Sequence, residues 1–173
     1  TVTGAKSAIE VGTFTGYSSI CLARGMGSDG RLQCFDISEE WTDVARRYWK
    51  RAGVEQQINL RIGPAAEGIA SLPANTTFDL AFIDADKTGY AGYVDQLHPL
   101  MRVGGLLMID NTLWSGTVLP EGSNAGAERP EVHRADDPDT LALQKLNADL
   151  ANDPRFTTML LPFGDGITML AKL

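Results

Sequence analysis

Five short apolar segments, separated by longer stretches with helical periodicity, constrain the fold of this chain more than any other feature. They span Ser7 to Gly12, Leu32 to Asp36, Ile58 to Gly63, Phe78 to Asp84 and Leu106 to Asp110. Strands that alternate with helices in this way build a parallel sheet covered by helices. The pattern therefore predicts an α/β fold in which three of the five strands end in an aspartate.

The C-terminal part of the chain departs from this alternation. Asp137 followed by Pro138 predicts a helix start, because aspartate caps free amides and proline suits the first helical position. Leu143, Leu146 and Leu150 then recur on one face. The apolar segments at 156–161 and 167–173 flank glycines and an aspartate, which favours an antiparallel hairpin. The segment from Ser115 to Arg134 has no apolar period and is predicted to be a surface loop.

Size and charge narrow the class of protein. A chain of 173 residues that is 43% hydrophobic supports one core and predicts a single domain over 1–173. Fifteen basic and 22 acidic side chains leave a net charge of −7, which disfavours nucleic acid and favours a small-molecule partner. No apolar run approaches the roughly 20 residues that cross a bilayer. We therefore expect a protein without a membrane anchor.

The two cysteines, Cys21 and Cys34, have apolar neighbours and no metal-like spacing. We interpret both as buried thiols of a cytoplasmic protein, although a single disulfide between them remains an alternative.

A glycine turn from Glu10 to Ser18 follows the first predicted strand. Glycine at positions 12 and 16 permits a sharp turn, and a helix that begins near Tyr17 would direct free amides toward an anionic ligand group. A dinucleotide fingerprint needs glycine where Phe14 stands, so NAD is disfavoured. The turn predicts a ligand site, with simple helix-to-sheet packing as the alternative.

Asp36 ends the second predicted strand, about 20 residues beyond Gly16, where an acidic side chain can accept hydrogen bonds from both ribose hydroxyls. The alternative is an aspartate that caps the helix beginning after Ser38.

Acidic and amide side chains follow two further strands. Asp84 ends the fourth predicted strand, while Asp110 and Asn111 end the fifth. Because the carboxyl ends of neighbouring parallel strands meet at one edge, these three side chains are predicted to converge. Their oxygens suit a hard cation such as Mg²⁺. The alternative for the aspartates is that they cap the helices that follow. Lys87 stands one turn beyond Asp84, and for this lysine the alternative to a role in the site is a solvated position on the helix surface.

With these motifs in place, the chain resembles the catechol and caffeoyl-coenzyme A class of cation-dependent O-methyltransferases, particularly bacterial members. The resemblance runs nearly end to end. Animal catechol enzymes carry an aromatic residue where this chain has Asp86, so the bacterial and plant pattern fits better. The matching blocks are Glu10 to Ser18, Phe82 to Lys87, Gly104-Gly105, Ile109 to Trp114, and Leu161-Pro162 with Gly164-Asp165-Gly166.

This resemblance implies a Rossmann-like class I methyltransferase fold, with a mostly parallel seven-stranded sheet, a C-terminal antiparallel hairpin and helices on both faces. It implies S-adenosyl-L-methionine and a divalent cation, Mg²⁺, as cofactors. Lys87 would be the general base. The residues implied in cofactor binding are Glu10, Gly12, Thr13 and Ser18 at the methionine part, Asp36 at the ribose, Ala65 at the adenine, and Asp84 and Asp86 close to the cofactor. The residues implied as metal ligands are Asp84, Asp110 and Asn111.

The function implied is methylation of one hydroxyl of a catechol-like or caffeoyl-type vicinal diol by a cytoplasmic homodimer. Family members carry a helical segment before the first strand, and we expect this chain to lack it. Three alternatives remain: a tRNA wobble-nucleoside methyltransferase that uses a basic patch at 46–51, an NAD-binding oxidoreductase, and a noncatalytic cofactor-binding module.

Overall fold

A computed structural model describes residues 3–119 and 136–173, and these form one seven-stranded sheet. The first five strands pair in parallel, while the last two form an antiparallel hairpin on β5, in the order β3-β2-β1-β4-β5-β7-β6. The predicted class I fold is confirmed. The strands are β1 (Ser7–Val11), β2 (Arg31–Asp36), β3 (Ile58–Ile62), β4 (Phe78–Ile83), β5 (Met101–Asp110), β6 (Phe156–Leu161) and β7 (Ile167–Lys172).

Helices cover both faces of this sheet. Ile9 of β1 belongs to the core under the later helices, whereas its neighbour Ala8 packs with Met26 on the other face, because successive strand residues point to opposite sides. None of the described helices has the length and apolarity of a membrane span. The helices are α1 (Tyr17–Met26), α2 (Glu39–Ala52), α3 (Ala65–Ala70), α4 (Tyr90–Leu97) and α5 (Pro138–Ala151).

The predicted start of α5 is confirmed in detail. Asp137 Oδ2 accepts a hydrogen bond from the Thr140 amide at 3.2 Å, and proline occupies the first turn. The predicted apolar stripe is buried against the sheet, as expected from its spacing. Its members, Leu143, Leu146 and Leu150, are each at most 3% exposed.

Several sequence-based boundaries need correction. β1, β3 and β4 stop one residue early, so Gly12, Gly63 and Asp84 lie just beyond their strands. β5 begins at Met101 instead of Leu106, because the left-handed Gly104 (φ 71°) interrupts the apolar pattern without ending the strand. Of the predicted loop, 115–116 belongs to a short 3₁₀ turn (Trp114–Gly116), 117–119 follows that turn, and 120–134 lies outside the described residues.

One cysteine prediction is wrong. Cys34 is buried, but Cys21 is exposed on α1, and both thiols are free. The apolar neighbours of Cys21 in the sequence belong to other faces of the helix, since only every third or fourth residue shares a face.

Candidate active site

Two cavities meet at the carboxyl ends of the strands, where open α/β sheets place their ligands. Their volumes are ≈ 410 and ≈ 390 Å³. They share Gly12, Phe14 and Asp84 as lining residues. The larger cavity extends over α1 and the ends of β4 and β5, and the smaller one extends toward β2 and α3.

Glycine at position 12 is required by the closeness of two strand ends. Its backbone has φ 89°, and a Cβ atom there would lie 1.8 Å from the Asp84 carbonyl oxygen. Gly16 is similarly confined, because a Cβ would lie 2.6 Å from both Ala45 Cβ and Trp49 Nε1. The predicted tight turn is therefore observed, and α1 begins directly after it without a side-chain cap.

The Asp36 carboxylate holds the shape of this turn. Its Oδ2 accepts the amides of Thr13 at 2.9 Å and Phe14 at 2.7 Å, and its Oδ1 accepts the Ser38 amide at 2.7 Å. The same side chain lines the smaller cavity together with Ala65. The N-cap of α2 is Ser38, whose hydroxyl accepts the Trp41 amide, so the helix-capping interpretation of Asp36 is wrong and ligand contact is the one compatible with its position.

The residues expected at the methionine part of the cofactor separate into two groups. Gly12, Thr13 and Ser18 line the larger cavity. Glu10 lines neither cavity and is completely buried beneath them. Its Oε2 accepts hydrogen bonds from Ser19 at 2.6 Å, Thr13 at 3.1 Å and Cys34 at 3.2 Å.

Burial also perturbs the ionisation of the Glu10 carboxyl group. Burial raises its pKa above the ordinary value of 4.5, and hydrogen bonds led by Ser19 only partly oppose that shift. Its Oε1 is buried and finds no hydrogen-bond partner among residues 3–119 and 136–173.

Lys87 is buried, not solvated. Only 6% of it is exposed, and its Nζ donates to Asp84 Oδ1 at 3.2 Å, to Asn111 Oδ1 at 3.0 Å and to the Tyr90 hydroxyl. The ammonium also lies 5.3 Å from the centre of the Trp114 ring. The alternative of a surface lysine is therefore excluded, and the side chain connects the ends of β4 and β5.

The predicted convergence of Asp84, Asp110 and Asn111 is observed around this lysine. Asp110 Oδ1 accepts the Asn111 amide at 2.7 Å. Burial raises the pKa of Asp110, and the negative charge of Asp84 raises it further against the opposing effects of that amide and of Lys87. A nearby cation would favour the ionised form of this buried carboxyl.

These oxygens suit a hard divalent cation. Two carboxylates and an amide oxygen are ligands that Mg²⁺ accepts, and the Lys87 ammonium already contacts two of them. Within the described part of the chain, no group of three or more His, Cys, Asp or Glu side chains is arranged for metal binding. A metal at this place would therefore depend on the Asn111 amide and on water or substrate oxygens.

Two tyrosines that the sequence reasoning missed support the site. Tyr90 is fully buried, accepts from Lys87 and donates to the Asp110 carbonyl at 3.2 Å. Tyr93 donates to Asp86 Oδ1 at 2.7 Å in the smaller cavity. Burial raises the pKa of both phenols, so they stay protonated. Tyr90 follows Lys87 by three residues and Tyr93 follows Tyr90 by three, about one helical turn each, and this spacing was the available signal.

Comparisons with known proteins identify the family of this chain. A family model described as O-methyltransferase matches residues 1–173. The probable caffeoyl-CoA O-methyltransferase 2 of Dictyostelium discoideum is 39% identical over 99% of this chain and 71% of its own length. The caffeoyl-CoA O-methyltransferase of Stellaria longipes is also 39% identical, over 97% of this chain and 68% of its own.

Solved structures give the same result. The O-methyltransferase from Bacillus cereus in complex with SAH superposes with a TM-score of 0.83 at 30% identity, covering 99% of this chain and 76% of that one. The O-methyltransferase TomG from Streptomyces achromogenes in complex with SAM has a TM-score of 0.83 at 25% identity, covering 99% and 74%.

Proposed function

Because the chain belongs to the O-methyltransferase family, we propose that it methylates one hydroxyl of a vicinal diol, such as a catechol or a caffeoyl-type compound, using S-adenosylmethionine and a divalent cation. The family membership supports the reaction type. The structures that contain SAH and SAM support the cofactor, and the names of the caffeoyl-CoA relatives support the substrate class.

The two adjoining cavities support a cofactor that spans the glycine turn. Ala65 and Asp36 line the smaller cavity, which has room for a nucleoside. Gly12, Thr13 and Ser18 line the larger one, where the uncapped start of α1 favours a carboxylate. S-adenosylmethionine has an adenosine at one end and an amino acid at the other, and its size and polarity suit this pair of cavities.

The buried Lys87 ammonium between Asp84 and Asn111 is the observation that carries the proposal for the reacting groups. A divalent cation held by Asp84, Asp110 and Asn111 would stabilise the negative charge of a bound diol oxygen. The Lys87 side chain lies where its neutral amine could take the proton from that hydroxyl, with Tyr90 fixing the position of its Nζ. A deprotonated oxygen is the better nucleophile toward the methyl group.

A methyl-transfer assay with a substrate panel tests this proposal. The purified protein is incubated with labelled S-adenosylmethionine and Mg²⁺, and separately with catechol, caffeoyl conjugates and total tRNA. We expect label on one hydroxyl of a diol, and none on a matched compound with a single phenolic hydroxyl, because only the diol can bind a cation through two oxygens. Equal labelling of both compounds would contradict the proposal.

Helix α2 favours one other candidate, a methyltransferase that acts on RNA. Its cations Arg46, Arg47, Lys50 and Arg51 are all exposed and make no ion pair with any residue of the described ranges. Phosphate-binding surfaces carry such unpaired cations. Labelled tRNA in the same assay, lost when these four residues are replaced by alanine, would favour this function over diol methylation.

A further inference from the structure

We infer that Asp165, in the turn between β6 and β7, is a positioning residue that clamps the segment 111–116 so that Asn111 and Trp114 face Lys87. The inference rests on the proposed function, since that function gives Asn111 and Lys87 their roles. It assigns a purpose to the Gly164-Asp165-Gly166 turn, which neither the cofactor cavity nor the metal ligands require.

The segment after β5 has an unusual backbone. Asn111 (φ 59°), Trp114 (φ 48°) and Ser115 (φ 53°) all lie in the left-handed region, although none of them is glycine. Residues with side chains populate this region only when surrounding contacts hold them there. A short loop with three such residues therefore needs an external support.

The β6–β7 turn supplies that support through a series of hydrogen bonds. The Gly166 carbonyl accepts the Thr112 amide at 3.1 Å, and the Asp165 carbonyl accepts the Leu113 amide at 2.9 Å. Asp165 Oδ1 accepts the Ser115 amide. Only this last bond depends on the identity of a side chain, so Asp165 is the residue whose replacement tests the clamp.

Close packing fixes the distance between the two segments. Gly166 has φ 84°, and a Cβ atom there would lie 2.5 Å from Leu113 Cγ and 2.8 Å from the Leu113 amide nitrogen. Glycine at 166 thus lets the turn approach near enough for Asp165 to reach Ser115.

The clamped segment presents two groups to the reaction centre. Asn111 Oδ1 lies 3.0 Å from Lys87 Nζ, and the Trp114 ring centre lies 5.3 Å from it. Asp165 acts on these two groups through the backbone, because its carboxylate accepts the backbone amide of Ser115, the residue after Trp114. Release of Ser115 would let Trp114 and Asn111 relax toward ordinary backbone angles.

Two variants at position 165 test the clamp. Asp165→Ala removes the acceptor, whereas Asp165→Asn keeps an acceptor and removes only the negative charge. We expect Asp165→Ala to weaken Mn²⁺ binding and to lower kcat by about 10–100-fold, the range for residues that orient a metal ligand. The affinity for S-adenosylhomocysteine should stay within about twofold in both variants, and Asp165→Asn should resemble the parent protein.

A backbone rescue separates the clamp from a purely structural role. Ser115→Gly tolerates a positive φ without support, so the double variant Asp165→Ala/Ser115→Gly should regain part of the lost kcat and Mn²⁺ affinity. The double variant also keeps the test available if Asp165→Ala alone does not fold. Equal damage in Asp165→Asn and Asp165→Ala, or no rescue by Ser115→Gly, would overturn the inference.

Amide hydrogen exchange distinguishes failure of the clamp from failure of the proposed function. The Ser115 amide should exchange faster in Asp165→Ala than in Asp165→Asn, whether or not the protein binds metal or transfers methyl groups, whereas the Leu113 amide, which bonds to the backbone carbonyl of residue 165, should exchange alike in both. Unchanged exchange would overturn the clamp. Absence of Mn²⁺ binding and of methyl transfer in the parent protein would overturn the proposed function while leaving the exchange result valid.

Discussion

The Asp36 carboxylate accepts three backbone amides and also borders the smaller cavity. Asp36→Ala should therefore weaken binding of S-adenosylhomocysteine by more than about tenfold, because a charge-assisted hydrogen bond and the shape of the turn are lost together. Calorimetric titration measures this effect. Asp36→Asn, whose one amide oxygen can still accept the Thr13 and Phe14 amides but not also the Ser38 amide, is the control for turn shape. Unchanged affinity in a folded Asp36→Ala protein would remove Asp36 from the ligand site.

At the same scale, Lys87 is expected to act on the reacting proton. Lys87→Ala should lower kcat by about 10²–10⁴-fold, the usual cost of removing a general base, with a much smaller effect on cofactor affinity. Lys145→Ala is the matched control, since that lysine lies on the surface in an ion pair with Asp149. Steady-state kinetics with a diol substrate give the comparison. A Lys87→Ala enzyme with near-normal kcat would rule out this role.

Sequence reasoning predicted that the candidate site residues lie together but missed the residues that support them. Asp84, Asp110 and Asn111 were predictable, because topology alone brings neighbouring strand ends together. The bonds of Tyr90 to Lys87 and to Asp110 depend on the exact orientation of α4, which no local pattern encodes. The exposure of Cys21 was missed for the same reason: it depends on how α1 is rotated against the sheet.

At the scale of elements, α5 is held by a stripe of leucines that pack on the sheet. Leu146 is 3% exposed within the main core, whereas Leu141 of the same helix is 51% exposed. Leu146→Ala should lower the free energy of unfolding by about 2–5 kcal/mol, and Leu141→Ala by no more than about 0.5 kcal/mol. Urea denaturation measures both. Equal effects of the two substitutions would contradict the observed packing of α5.

The elements that were predicted correctly are those with a strong repeating signal. The hairpin strands and the capped start of α5 follow from turn residues and apolar spacing that need no tertiary information. The early start of β5 could not be predicted, because Gly104 and Gly105 resemble a loop and lie in an irregular stretch between Met101 and Leu106, the two flanking residues that pair with β4. Likewise, the left-handed backbone of Phe14 could not be predicted, because it depends on the hydrogen bond from the Phe14 amide to the Asp36 carboxylate.

At the scale of the whole molecule, the buried Glu10 carboxyl makes stability depend on pH. Below its ordinary pKa of 4.5, this group is protonated in both the folded and the unfolded state. Above that value the unfolded chain loses the proton first, so a rise in pH favours unfolding until the folded carboxyl also ionises at its raised pKa. The free energy of unfolding of the unmodified protein should thus fall relative to that of the Glu10→Gln variant as the pH rises from about 4.5.

Free energies of unfolding for both proteins, measured from about pH 4 to about pH 8, test this sign. Subtracting one curve from the other cancels the contributions of the surface groups that the two proteins share. A parent protein that gained stability relative to Glu10→Gln over this range would contradict the assigned direction of the pKa shift.

Metal-assisted methyl transfer at the ends of β4 and β5 is the central claim, and chelation tests it most directly. Diol methylation is followed before and after exhaustive metal removal, with S-adenosylhomocysteine binding measured on the same samples. We predict that turnover disappears in metal-free protein and returns with Mg²⁺, while binding persists. Asp110→Ala should mimic the chelator and resist rescue by Mg²⁺, because it removes an anionic ligand. Undiminished methylation by protein verified to be metal-free would contradict the account.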